Sequence, residues 1–191
     1  MFQSHLLLTA PFFISTLPEF SVLNFNKIIL VALAATPFFT QHSNAETKPT
    51  KGFLGLSVGL YNVLDGDQHS QDIRIEYRRS KPLFKKIAIK PWVGVMGSTD
   101  VSLWLGGGLY YDFTLNDQWS LSPSLGMGTY RNGSNDVDLG HAIEFRSQLE
   151  LAYQLKSNDK VALAFSHFSN AGLGSSNPGV ESLSLYYLKS L

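Results

Sequence analysis

The sequence predicts an all-β protein, an eight-stranded antiparallel up-and-down transmembrane β-barrel. Three observations carry that expectation. Apolar residues recur at every second position through most of residues 46–191, the period of a strand and not of a helix. Clusters of Gly, Asn, Asp, Ser and Pro interrupt the alternation at short intervals, marking turns. One face of the alternation is an unbroken apolar band, and the other is small and polar with a few charges of both signs. A barrel that crosses a bilayer is apolar outside and polar inside.

Residues 1–45 are read as an N-terminal extension and signal peptide that is removed. Asn26-Lys27 forms a short positive region, Ile28 to Phe39 an apolar core, and Ser43-Asn44-Ala45 supplies small residues for cleavage after Ala45. Neither this segment nor the earlier HLLLTAPFFISTL reaches the ~18 uninterrupted apolar residues of a membrane-spanning helix. Residues 46–191 then form the barrel.

The strands follow in order. Leu54, Leu56, Val58 and Leu60 face one way against Gly55, Ser57 and Gly59. Ile73, Ile75 and Tyr77 oppose Arg74, Glu76 and Arg78. Ile87, Ile89, Val93 and Val95 oppose Lys90, Trp92 and Gly94. Val101, Leu103, Leu105, Leu109, Tyr111 and Phe113 oppose Trp104, Gly106, Gly108 and Tyr110. Trp119, Leu121, Leu125 and Met127 oppose Ser120, Ser122, Ser124 and Gly126. The sixth segment runs from Leu139 to Leu155, with Glu144, Arg146, Gln148 and Glu150 on its polar face. Val161, Leu163 and Phe165 oppose Ala162, Ala164 and Ser166; Leu183, Leu185 and Tyr187 oppose Ser182 and Ser184.

Charge and composition narrow the function. Fifteen basic residues balance fifteen acidic ones, against the basic face that nucleic acid requires. With no cysteine, disulfides and thiolate chemistry are excluded. A soluble barrel would need a charged coat that this chain lacks. A closed barrel satisfies every backbone group in lipid, and Trp119, Tyr111, Tyr153 and Tyr187 are candidates for the interfacial girdle. Together with the signal peptide this points to the outer membrane of a Gram-negative-type envelope. Many such barrels end on an aromatic residue, whereas this chain ends YYLKSL. Eight strands leave an interior filled by side chains, which excludes a porin.

The chemistry concentrates in HFSNAGLGSSNPGVE, residues 167–181. His167 and Ser169 share the lipid-facing side of the seventh strand, and Glu181 has the same facing on the eighth. With the N-terminus on the periplasmic side, this patch reaches the extracellular rim. Serine needs an adjacent base to act as a nucleophile, and a carboxylate can hold that base in the required tautomer. Asn170, Asn177 and the backbone of the Gly-rich turn are candidate oxyanion donors. The reaction class is hydrolysis of an ester in a membrane lipid. The competing reading makes these residues wet-rim decoration on a non-catalytic small outer-membrane barrel, an anchor or adhesion module. A palmitoyl-transferring barrel is disfavoured because it would use an interior acyl pocket. A G-x-S-x-G elbow and clustered metal ligands are absent. His141 reads as an interfacial residue and His69 as a solvated turn residue.

The same stretch resembles the C-terminal signature of the lipid A 3-O-deacylases, the PagL-type outer-membrane enzymes: His-x-Ser-Asn, then Asn-Pro, then Glu shortly before the final strand. The matches are His167, Ser169, Asn170, Asn177, Pro178 and Glu181. The resemblance implies an eight-stranded barrel that removes the ester-linked 3-hydroxyacyl chain at position 3 of lipid A, with no cofactor and no metal. It implies Ser169 as nucleophile, His167 as general base and Glu181 as its orienter. Asn177 is assigned to oxyanion support, and Asn170 to oxyanion support or to shaping the turn. Lipid A in the outer leaflet is the expected partner, and a homodimer that buries the patch is compatible with the sequence.

Overall fold

The computed structural model describes residues 51–64, 70–84, 86–134 and 137–191. The expected signal peptide, its cleavage point and His69 lie outside the described residues. The strands are β1 (Gly52–Tyr61), β2 (Ser70–Arg79), β3 (Lys90–Ser98), β4 (Leu103–Tyr110), β5 (Phe113–Thr114), β6 (Trp119–Arg131), β7 (Ile143–Gln154), β8 (Lys160–Ser169) and β9 (Val180–Ser190). β1 to β4 pair in sequence, β4 pairs with β6, β6 to β9 pair in sequence, and β9 returns to β1, all antiparallel. β5 is a two-residue ribbon on β6 just beyond the end of β4. The result is a closed eight-stranded barrel, as the alternation predicts. Closure removes every sheet edge, so each ladder group has a partner where lipid offers none.

Three strands start later than the alternation suggests. β4 begins at Leu103 and not at Val101, which takes φ 71° in the turn before it. β7 begins at Ile143 and not at Leu139, because Gly140 takes φ 80° and turns the chain. The Ile143 N–H is then accepted by His141 Nδ1 at 3.0 Å, which caps the strand. β3 begins at Lys90 and not at Ile87; Ile87 bridges back to Phe84 within the preceding turn.

The faces are those of a membrane barrel. On β1 and β2 the outward residues Leu54, Leu56, Val58, Leu60, Ile73, Ile75 and Tyr77 are 40–61% exposed. Such a coat is unfavourable in water and suited to hydrocarbon. Arg74, Glu76, Arg78, Glu144, Arg146 and Glu150 point inward and are at most 6% exposed. Their pairing ties opposite walls. Arg74 binds Asp72 through two bonds of 2.9 and 3.0 Å and donates to Ser166 on β8 at 2.9 Å. Arg146 on β7 donates to Glu76 on β2 at 2.5 Å, and Arg78 donates to Glu76 and Glu150 at 2.9 and 2.8 Å. Glu144 is the exception, fully buried with neither carboxylate oxygen hydrogen-bonded.

The interior is less uniformly small and polar than the sequence suggests. Tyr61, Trp92, Met96, Trp104, Tyr130 and Phe168 belong to a hydrophobic, largely aromatic cluster inside the barrel. Trp92 and Trp104 stack at 5.9 Å, and the Arg146 guanidinium lies 3.9 Å above the Trp92 ring. Glycines make the room. A Cβ on Gly126 would fall 2.4 Å from Trp92, and one on Gly106 2.5 Å from Trp104.

At the end where β1 starts and β9 finishes, Trp119 meets Tyr153 edge-on at 5.0 Å and Tyr111 meets Phe113 at 4.6 Å. The non-aromatic C-terminus is held there by Asp159, which accepts from Tyr187 Oη at 2.7 Å, Lys189 Nζ at 3.1 Å and the Ser190 N–H at 2.9 Å.

Candidate active site

β8 ends and β9 begins at the rim opposite the start of β1 and the end of β9. The register sets His167 directly beside Glu181. Both project from the outer wall, in line with Leu163 and Leu183, because strand side chains repeat every second residue. His167 Nδ1 lies 2.9 Å from Glu181 Oε1, with the two side chains 25% and 21% exposed. With the carboxylate accepting from Nδ1–H, the imidazole presents its lone pair at Nε2, as a general base requires. Ser169 is the last residue of β8, two positions beyond His167 and paired with Phe145 of β7. On its other side His167 is paired with Ser147, a short side chain in an otherwise apolar row.

The loop from 170 to 179 is built around Asn170, which is fully buried. Its Nδ2 donates to Leu139 O and to Ser176 O, both at 2.7 Å, and its Oδ1 accepts from the Gly172 N–H at 2.8 Å. Every polar atom of the amide is thereby used inside the protein, so Asn170 organises the loop and has no donor left for an oxyanion. Ala171 and Gly172, at φ 54° and 83°, form a left-handed turn closed by the Leu173 N–H on Asn170 O at 3.1 Å. Two further glycines let this loop pack on the one before β7. A Cβ on Gly140 would lie 2.6 Å from Ser176 O, and one on Gly174 2.5 Å from Gly140 O. Leu139, fully buried, anchors that preceding loop in the interior cluster.

Asn177 is exposed, and its Oδ1 accepts from the Asn170 N–H at 2.9 Å. This fixes the amide orientation and leaves Nδ2 as the outward donor. His141, read from the sequence as an interfacial residue, caps β7. The roles of Leu139, Gly140 and Gly174 escaped the sequence reading. The one signal that pointed to them was glycine in both rim loops.

A closed barrel with its apolar face outside is a transmembrane β-barrel, and a histidine–carboxylate pair beside a serine on its outer wall is the equipment of an ester hydrolase that meets lipid. The family model described as lipid A 3-O-deacylase (PagL) matches residues 88–190, which include His167, Ser169, Asn170, Asn177 and Glu181. The chain belongs to the lipid A 3-O-deacylase family. It is 22% identical over 175 residues to the lipid A deacylase PagL of Bordetella bronchiseptica, covering 84% of this chain and 91% of that protein. Its fold is similar to the crystal structure of the outer membrane enzyme PagL, with TM-score 0.54, 18% identity, and coverage of 73% of this chain and 99% of the other. A de novo designed transmembrane β-barrel superposes with TM-score 0.51 at 14% identity, covering 77% of this chain and all of the design.

Proposed function

We propose that this outer-membrane barrel hydrolyses the ester-linked 3-hydroxyacyl chain at position 3 of lipid A, with Ser169 as nucleophile, His167 as general base and Glu181 as the group that orients and stabilises the imidazole. Family membership makes the chain a lipid A deacylase and an ester hydrolase. The observation that carries the residue assignment is the 2.9 Å contact between His167 and Glu181 on the lipid-facing wall, two residues from Ser169.

Ser169 Oγ attacks the ester carbonyl while His167 Nε2 takes its proton. The negative charge that develops on the carbonyl oxygen is met by Asn177 Nδ2 and backbone N–H groups of the loop. The intermediate collapses, the sugar oxygen leaves with the proton from His167, and the acyl chain remains on Ser169. Water then attacks the acyl-enzyme, His167 accepts its proton and returns it to Ser169, and the 3-hydroxy fatty acid is released. Glu181 holds the imidazole in this orientation and stabilises the imidazolium. With the start of β1 and the end of β9 on the periplasmic side, the rim that carries these residues faces the outer leaflet, where lipid A lies. All three residues come from one chain, so a homodimer would have to leave the β8–β9 wall open to lipid.

Mass spectrometry of lipid A from cells expressing the native chain or Ser169→Ala tests the reading. Loss of one 3-hydroxyacyl mass with the native chain and none with the variant is expected. Equal loss with both would remove Ser169 from the mechanism.

A further inference from the structure

Within the proposed triad, on which this inference rests, the geometry points to Gly179 as a positioning residue whose missing side chain holds the catalytic imidazole in its working direction. The antiparallel register pairs His167 with Glu181 and Phe168 with Val180. The pairing ends there; Gly179 is the residue just before β9, as Ser169 is the residue just after Phe168. A Cβ built on Gly179 would lie 2.5 Å from His167 Cε1, 3.3 Å from Nε2 and 3.4 Å from Nδ1, and these are its three nearest neighbours. The imidazole therefore lies over the Gly179 backbone. Its Nδ1 side is held by Glu181, and its Cε1–Nε2 edge extends over Gly179.

This arrangement answers a geometric difficulty. His167 and Ser169 are successive outward residues of one strand, so their Cα atoms are roughly 7 Å apart. The imidazole must bend along the strand to approach the serine. Any side chain at position 179 would fill the space the ring bends into. Gly179 also has no positive φ, so turn geometry does not account for the glycine. The ring does.

A methyl group at 179 must be relieved by movement of the ring, because the colliding atoms belong to a rotatable side chain and not to the ladder. Going from 2.5 Å to ordinary contact takes about 1 Å of displacement, and a misplacement of that size in catalytic geometry costs on the order of 10²-fold in rate. The loss falls on kcat and leaves KM near its native value.

The test is a double-mutant cycle read with a small organophosphorus ester, which phosphorylates an activated serine without needing the lipid groove, alongside kcat and KM on lipid A in detergent. Native protein, Gly179→Ala, His167→Ala and the double variant are compared after refolding, with the heat-modifiable gel shift reporting the barrel. The expected result is inactivation about 10²-fold slower for Gly179→Ala, a larger loss for His167→Ala, and no additional loss in the double variant. Native-like inactivation of Gly179→Ala, or a loss that adds fully to that of His167→Ala, would overturn the proposal. If Gly179→Ala folds only when His167 is also Ala, the methyl–ring collision is demonstrated directly. If neither folds, the glycine serves the ladder and the proposal fails. Failure of the triad itself reads differently: His167→Ala would then react at the native rate, or Ser169→Ala would still be phosphorylated.

Discussion

Asn170 offers the sharpest separation between building the site and taking part in the reaction. Its side chain makes three hydrogen bonds, to Leu139 O, Ser176 O and the Gly172 N–H. Asn170→Ala deletes all three. At about 1 kcal/mol net each, the closed state of the rim loops loses about 3 kcal/mol, which raises the open population on the order of 10²-fold. All three bonds lie within or between the loops, so the barrel below is untouched. Asn170→Asp preserves the shape and the Gly172 bond, but it turns the amide donor toward two carbonyl oxygens into an acceptor. Its effect is expected to equal or exceed that of alanine. The assay is amide hydrogen exchange at Gly172 and Leu173 together with lipid A turnover, with the heat-modifiable shift as the control. Exchange faster by about 10², a matching loss of turnover and an unchanged gel shift are the expected outcome. Native exchange and turnover in Asn170→Asp would refute the account of Asn170 as a loop clamp.

The interior and the rim opposite the site give two further expectations. Glu76 accepts from Arg146, Arg78 and Tyr186, so Glu76→Gln leaves two buried guanidinium groups short of charge and is expected to cost about 3–5 kcal/mol in urea unfolding from lipid vesicles; a loss below about 1 kcal/mol would contradict it. Asp112 sits between β4 and β5, where burial pushes its carboxyl up but Lys160 and Lys90 outweigh this and hold it down at about 2. Its folded value is below the ordinary carboxyl value of about 4, so its contribution, about 2 kcal/mol, is fully present above about pH 4 and is lost as pH falls toward 2. Thermal unfolding between pH 5 and 2 should decline more steeply for the native chain than for Asp112→Asn, and parallel slopes would sink the assignment.

Much of the architecture was legible because a barrel wall has only two faces. Leu54 through Leu60 and Ile73 through Tyr77 repeat with the pleat, and the structure places them outward as read. The strand ends were harder. Leu139 keeps the alternation but lies past Gly140, whose φ of 80° breaks the strand, and a periodic pattern carries no dihedral angle. Trp92 and Trp104 were assigned to the inner face, yet their stacking over Gly106 and Gly126 was not, because it depends on which strands meet across the ladder. The site divides the same way. His167 and Glu181 were placed on one face by parity alone, and their direct pairing follows from the β8–β9 register. The side-chain bonds of Asn170 reach residues up to 31 positions away, a separation invisible to local spacing. Gly179 shows the limit most clearly, since its contribution is an unfilled volume.

A barrel whose working residues sit on its outer wall has no lumen to fill and no mouth to admit a substrate. In the proposed mechanism Ser169, His167 and Glu181 open sideways onto the outer leaflet, so encounter is lateral diffusion within one leaflet and supply is counted in molecules per unit area. The cleaved sugar lipid drifts away along the plane of the sheet it came from. Water is the reagent that has to travel, down from the rim beside Asn177. Rates for such a wall take their meaning from the mole fraction of lipid A in the surface, and the bulk concentration only sets how much surface there is.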